Sequence, residues 1–365
     1  MTKPIRLSFV FRGNALGNVG GAERSMLRLM QYAHPEKIEC HVIFFKKNNL
    51  PFRSLLLSAG IPVVIVDGAL GLYKHLRIIN PDVVYLFARP HLILWGLIAR
   101  KAKVPVIIAA ERGSADTILD RIIQNLSKYF MDAYIANSKS ASARLRESNI
   151  SSDRIFVVYN GINEDRTPHL DIINETSLGN PLIVCIASIK REKGQIVLLE
   201  AVNNLRIRFP KIRVLLVGRD FTRHKFFEDA EKKGFNDTYL WVDYVKDVRG
   251  YLSAADIFVL PSVGGEGMPT SILEAMFLKI PVIATNKGGV NELIHDMKTG
   301  LIVEAGNSLI LSNAIEKILL DQDLAQRLTH DAYNYVISHH TVSKMVLNHL
   351  NIFTHLVALQ RQKAK

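Results

Sequence analysis

Short apolar runs rich in Val and Ile recur along the first part of the chain: Leu7 to Phe11, Val42 to Phe45, Val63 to Val66, Val83 to Phe87, Val106 to Ala110 and Ala133 to Ala136. A segment of helix length separates each run from the next. Runs that are apolar throughout suit strands buried on both faces, and their alternation with helices predicts a doubly wound parallel sheet. After a polar break the alternation resumes with Ile183 to Ala187, Val214 to Val217, Tyr239 to Val242, Ile257 to Pro261, Val282 to Ala284 and Gly300 to Val303. The pattern therefore predicts two α/β domains of one architecture.

The break, Asn163 to Pro181, contains Glu164, Asp165, Pro168, Asn174, Gly179 and Asn180 with little apolar periodicity, as a linker does. The expected domains are residues 1–165 and 180–341. A helix over 342–365, marked by Val342, Met345, Val346, Leu350, Phe353, Leu356 and Val357, is expected to pack back on the first domain. At 365 residues the chain is long enough for two cores. The apolar run Leu92 to Ala99 falls far short of the roughly 20 residues of a spanning helix. Leu7 to Phe11 is likewise too short for a signal-peptide core. Cys40 and Cys185 sit in apolar runs without the spacing of a metal site or disulfide framework. A cytoplasmic protein that does not span the membrane is expected.

The net charge of +12 is unevenly placed, with 22 Lys+Arg against 13 Asp+Glu in residues 1–165 and 24 against 21 in residues 166–365. A basic first domain draws anionic lipid head groups, nucleic acid or phosphorylated substrates through the same long-range field. The chain has no aromatic-interleaved basic segment or recognisable nucleic-acid module, which argues against nucleic acid. Neither domain has the spaced-glycine fingerprint of a dinucleotide oxidoreductase after its first strand.

Candidate chemistry concentrates in Gly264-Gly265-Glu266-Gly267-Met268-Pro269-Thr270-Ser271-Ile272-Leu273-Glu274, directly after the strand ending at Pro261. Glycines let backbone approach a ligand closely, and a helix start with free amides suits a phosphate. Glu266 on the loop and Glu274 about one turn into the helix either grip hydroxyl groups of a sugar and a ribose, or are a solvated loop charge and an ordinary helix residue. In the first domain, Gly20-Gly21-Ala22-Glu23-Arg24 opens a helix after the first strand, as a binding loop or a tight turn. Glu111-Arg112 ends the strand from Val106, where ligands meet parallel sheets. There Arg112 binds an anionic acceptor group, or the pair forms an internal salt bridge.

These motifs resemble the family 4 retaining glycosyltransferases. The likeness rests on Glu266 and Glu274 eight residues apart, then Ala275-Met276, Pro281-Val282-Ile283-Ala284-Thr285 and Gly288-Gly289-Val290-Asn291-Glu292-Leu293-Ile294. It extends to Ala187-Ser188-Ile189-Lys190-Arg191-Glu192-Lys193-Gly194, Leu215-Leu216-Val217-Gly218, Val245-Lys246-Asp247-Val248 and Ala255 to Ser262, in the family's order. The resemblance implies a GT-B fold, two Rossmann-like domains facing a cleft. It also implies a UDP- or GDP-sugar donor and a saccharide or lipid-linked acceptor in cell-surface polysaccharide, lipopolysaccharide or glycolipid biosynthesis. Because the first domain of that family usually holds the acceptor, its basic balance points to an anionic acceptor or membrane surface, and Leu92 to Ile98 followed by Arg100, Lys101 and Lys103 reads either as a helix at the bilayer interface or as a helix packed on its sheet with a basic end.

Going by that resemblance, Lys193 neutralises the donor diphosphate without a metal ion. Gly20, Gly21, Ser188, Arg191, Val245, Gly265, Gly267, Met268, Pro269, Thr270 and Glu274 line the donor. Glu266, Lys193 and Glu111 serve the chemistry, and Arg24 and Arg112 serve the acceptor. Two positions depart from the family pattern: Ser188 stands where an Arg is frequent, and Glu111-Arg112 where a His is frequent. An epimerase of the same shape, acting on the sugar nucleotide alone, is the alternative.

Overall fold

The computed structural model describes residues 3–11, 19–33, 37–45, 50–87, 91–112, 118–163 and 179–363. Most of the expected linker, 164–178, and the glycines at 13, 17 and 113 lie outside the described residues. The chain divides into two compact units, Met1–Gly161 with Val342–Lys365, and Ile162–Thr341.

In the first unit the strands are β1 (Ile5–Phe11), β2 (Ile38–Phe45), β3 (Val63–Val66), β4 (Val83–Phe87), β5 (Val106–Glu111), β6 (Ala133–Ala136) and β7 (Ile155–Val157). They form one sheet in the order β3-β2-β1-β4-β5-β6-β7, and every pairing is parallel. Interleaved with them are α1 (Gly21–Tyr32), α2 (Leu50–Ser58), α3 (Gly68–Ile79), α4 (Leu92–Lys101), α5 (Ile118–Ser127) and α6 (Lys139–Glu147). Because each crossover helix covers a face of the sheet, the central strands are buried on both sides, which is why they read as unbroken apolar runs. β7 is only three residues long, and its half-buried side chains left no such run to read.

The second unit repeats the plan. Strands β8 (Leu182–Ile186), β9 (Arg213–Val217), β10 (Tyr239–Val242), β11 (Ile257–Leu260), β12 (Val282–Thr285) and β13 (Leu301–Val303) stand in the order β10-β9-β8-β11-β12-β13. Its helices are α7 (Gln195–Leu205), α8 (Lys225–Lys232), α9 (Arg249–Ser253), α10 (Thr270–Phe277), α11 (Ser308–Leu320) and α12 (Gln322–His339). In both sheets the order reverses beside the first strand, between β1 and β4 and between β8 and β11. At such a switch point the neighbouring crossovers run to opposite faces and leave a crevice beyond the carboxyl ends of the strands.

The last helix, α13 (Val342–Lys363), belongs to the first unit and packs on α1 and beside β5. It buries Val342, Met345, Val346, His349, Phe353, Leu356 and Val357. His349 occupies a core position where the apolar spacing pointed to Leu350, which is only half-buried.

Candidate functional site

In the second unit two adjacent strands deliver the candidate residues. After β8 the chain runs to a single 3-10 turn, Arg191–Lys193, which ends at Gly194 in the left-handed region (φ 69°). A Cβ on Gly194 would stand 2.1 Å from the Pro261 carbonyl oxygen, so only glycine lets this turn lie against the loop that follows β11. The Val263 and Gly264 amides each donate to the Glu192 carbonyl at 2.9 Å, joining the two loops through backbone.

This joining sets Lys193 against Glu266. The Lys193 Nζ lies 2.5 Å from Glu266 Oε1, and the Ser262 hydroxyl donates to the same oxygen. Glu266 is 6% exposed, yet among the described residues its Oε2 carries no hydrogen bond. Its backbone is held from the other side, where the Gly289 amide donates to its carbonyl at 3.1 Å. Gly288, at φ 57°, leaves no room for a Cβ, which would fall 2.0 Å from that carbonyl. The Thr285 hydroxyl donates to the Ser262 carbonyl at 2.5 Å. Three separate stretches, after β8, β11 and β12, thus fix one carboxylate-ammonium pair. Cys185 in β8 is close enough to feel both charges, and burial pushes its thiol up to about 12.

The other donor-lining candidates spread along the same strand ends. Gly265 is exposed, Gly267 half-buried and Met268 buried. Pro269 is the N-cap of α10 rather than its first residue, so Thr270 opens the helix. Glu274 lies within α10 and acts on the Arg249 guanidinium, which is held above its ordinary range first by its hydrogen bonds to Asp247. The Ser188 carbonyl accepts from the Gln195 side chain at 3.0 Å, while Arg191 is exposed. Val245 is half-buried between β10 and α9.

In the first unit Gly20 caps α1, with an extended backbone, and its amide donates to Glu23 Oε2 at 3.1 Å. Gly20 and Gly21 are exposed at the helix start, but Glu23 is buried, and burial raises its carboxyl above the usual range. Arg24 Nε reaches the Val19 carbonyl at 3.5 Å. Arg112 Nη1 donates to Ser25 Oγ at 2.9 Å and to Asn160 Oδ1 at 3.0 Å, and the guanidinium lies over the Phe87 ring. Arg112 is thereby held beside α1 and stays half-exposed.

Glu111 requires a correction. Side chains alternate along a strand, so Glu111 points away from Arg112. It is 2% exposed and accepts from Gln124 Nε2 at 2.6 Å, with Arg144 Nη2 at 3.7 Å. This position makes it an anchor for α5 and α6 rather than a group that meets a substrate. After β6, Asn137-Ser138 supplies the N-cap of α6, where Ser138 Oγ accepts from the Ala141 amide at 3.0 Å. Asn160 joins the Arg112 network. Sequence reasoning missed Ser262, Thr285, Ser25 and Arg249 as supporting groups, since a lone hydroxyl or arginine near a strand end carries no distinguishing spacing.

Two family models cover most of both units: "Glycosyltransferase Family 4" over residues 19–166, and "Glycosyl transferases group 1" over residues 170–335. The chain belongs to glycosyltransferase family 4. Its relatives include the phosphatidyl-myo-inositol mannosyltransferase of Mycobacterium leprae (strain TN), 23% identical over 67% of this chain and 66% of that protein. Another is the lipopolysaccharide core biosynthesis glycosyltransferase LpsE of Rhizobium meliloti (strain 1021), 25% identical over 56% of this chain and 59% of that protein. Other matches take in less, down to 38% of the relative's length. Among solved structures, Anabaena Alr3699/HepE in complex with UDP and glucose superposes with a TM-score of 0.86 at 18% identity, covering 96% of this chain and all of that one. The likeness establishes the GT-B fold of two Rossmann-like units for this family 4 chain.

Among the described residues no group of three His, Cys, Asp or Glu side chains is placed to hold a metal ion, and no helix is long and apolar enough to cross a membrane.

Proposed function

We propose that this chain is a retaining glycosyltransferase that moves a sugar from a UDP- or GDP-sugar to a hydroxyl of a saccharide acceptor, one borne on a lipid at an anionic membrane. The observation that carries the reading is the Lys193–Glu266 pair, fixed at the carboxyl ends of β8 and β11 beside the switch point of a nucleotide-type sheet. An arriving diphosphate offers Lys193 a stronger partner than one carboxylate oxygen does. The ammonium then neutralises the charge that develops on the leaving nucleotide, a task that needs no metal ion in this reading. Glu266, already held at Oε1 by Ser262, keeps its place and offers Oε2 to a sugar hydroxyl. The first turn of α10, with Thr270 at its start, presents amides to a phosphate.

The anomeric carbon passes through an oxocarbenium-like state as the nucleotide leaves. The acceptor hydroxyl attacks from the leaving-group face, and a donor phosphate oxygen takes its proton. In the first unit Arg112, steadied by Ser25 and Asn160, binds the acceptor's anionic portion.

Thermal stabilisation by a panel of UDP-, GDP- and ADP-sugars tests the donor reading, because only a ligand of the folded chain shifts its melting. One nucleotide series is expected to stabilise the wild type, and Lys193→Ala is expected to lose most of that shift. Turnover of donor to an epimer with no acceptor present, or an inverted anomeric centre in the product by NMR, would refute the transfer reading.

A further inference from the structure

Behind Arg112 the first unit buries three polar atoms that lack partners. Tyr85 in β4 and His349 in α13 are both 0% exposed, with their rings 6.1 Å apart. The Tyr85 hydroxyl, His349 Nε2 and Arg112 Nε are buried, and among the described residues none of them has a hydrogen-bond partner. Burial raises the Tyr85 phenol above its ordinary value, and Arg112 offsets part of that rise through its charge and as a nearby donor, although the two are not aligned as a full hydrogen bond. Leaving such groups unpaired is costly, so a small adjustment that pairs them is favoured.

Their chemistry fits together in one direction only. His349 Nδ1 lies 2.8 Å from the Met345 carbonyl oxygen, which can only accept, so Nδ1 carries the ring proton and Nε2 presents a lone pair. Arg112 Nε can only donate, whereas a phenol does both. A bond from Arg112 Nε–H to the Tyr85 oxygen, and one from the Tyr85 O–H to His349 Nε2, therefore satisfies all three. The imidazole keeps its lone pair because burial, and after it the Arg112 charge, holds its titration down to about 3. The other edge of the guanidinium is already fixed, since Nη1 donates to Ser25 and Asn160 and the Ser25 hydroxyl lies 3.4 Å from Met345 Sδ. Helix α13 thus stands behind Arg112 twice, through Met345 beside Ser25 and through His349 beside Tyr85.

We propose that Tyr85 and His349 are positioning residues for the acceptor: a relay from Arg112 Nε–H through the Tyr85 hydroxyl to His349 Nε2 holds the guanidinium in one pose, with Nη2 left to the acceptor's anionic group. The inference rests on the reading of Arg112 as the contact for that group and adds the side chains behind it. It gives the C-terminal helix a part in acceptor binding, through residues that touch no substrate.

The test is NMR on the full chain labelled with nitrogen-15 at arginine and histidine, with inorganic phosphate as the probe anion. In the wild type, His349 Nε2 is expected to be unprotonated and hydrogen-bonded, and the Arg112 Nε–H to exchange slowly with water. Tyr85→Phe and His349→Leu are each expected to speed that exchange, and to weaken phosphate binding followed on the Arg112 resonance, by about tenfold. His349→Gln keeps an acceptor near the place of Nε2 and should restore most of both, while the melting shift caused by a sugar nucleotide stays unchanged in all three. Melting adds a second readout, because removing a bonded hydroxyl destabilises, whereas removing an unpaired buried one stabilises. Wild-type exchange in both Tyr85→Phe and His349→Leu would overturn the proposal, as would a higher melting temperature for Tyr85→Phe. A wild-type Arg112 resonance that ignores phosphate would refute the acceptor role and, with it, the positioning. A chain that shows the relay but is stabilised by no sugar nucleotide loses only the transfer reading.

Discussion

Glu266 and Lys193 are joined by one short, partly buried contact. Glu266→Gln keeps a group for Ser262 to meet but removes the charge facing Lys193. We expect turnover to fall about 100-fold, the scale for a lost electrostatic contact to the transition state, with the thermal shift by donor largely kept; steady-state kinetics and melting together check this. The histidines of the first unit make a prediction of a different kind. His349 is fully buried and held down to about 3, first by burial and then by the Arg112 charge. His41, bonded to Ser8 at 2.8 Å, is held to about 4 by burial, with His75 adding to it. Both are neutral when folded, and their ordinary value is 6.5. The unfolded chain therefore binds more protons below that value, so their contribution is intact above pH 6.5 and is lost as pH falls toward 4 and 3. Each contributes a slope of up to about 1.4 kcal/mol per pH unit. Melting temperature between pH 7 and 4.5 is expected to drop, and His41→Asn should flatten part of that slope.

At the scale of elements, the site depends on glycines whose role is to let loops touch. Gly288 contacts no proposed ligand, yet a methyl there meets the Glu266 carbonyl on a backbone already in the left-handed region. Gly288→Ala is expected to cost about 1–3 kcal/mol and to lower transfer well beyond what that loss of stability explains, because Glu266 must shift. Calorimetry with activity measured below the transition checks it. The loop after β11 was legible as a loop at a strand end entering a helix, since its glycines and its two glutamates are local in sequence. That Gly194 must also be glycine was not legible, because its reason is the Pro261 carbonyl, 67 residues away. Glu111 was misread for a related cause. A charged residue at a strand end resembles a site residue, and only the side of the sheet it faces shows otherwise.

Over the whole molecule, the first unit is completed by residues from the far end of the chain. The buried side of α13, with Met345, Val346, Phe353, Leu356 and Val357, contributes about 1.5–3 kcal/mol for each large apolar group. That total is comparable with the 5–15 kcal/mol net stability typical of a domain. Deleting residues 342–365 is expected to leave the first unit unfolded and the second, Ile162–Thr341, folded. Calorimetry should show the second unit's transition surviving alone.

The alternation of buried strands and crossover helices is written locally, in a period that each segment shows by itself, so the α/β class and most strand positions could be read from the chain alone. The motif loops were legible for the same reason, as was the eight-residue spacing of Glu266 and Glu274. What the sequence lacked was direction: which way Glu111 points, that a histidine of α13 is core, that α5 turns its polar side inward, and that Lys193 meets Glu266 at 2.5 Å. Each of these depends on groups distant in the chain packing around a common point, and only the tertiary structure brings those groups together.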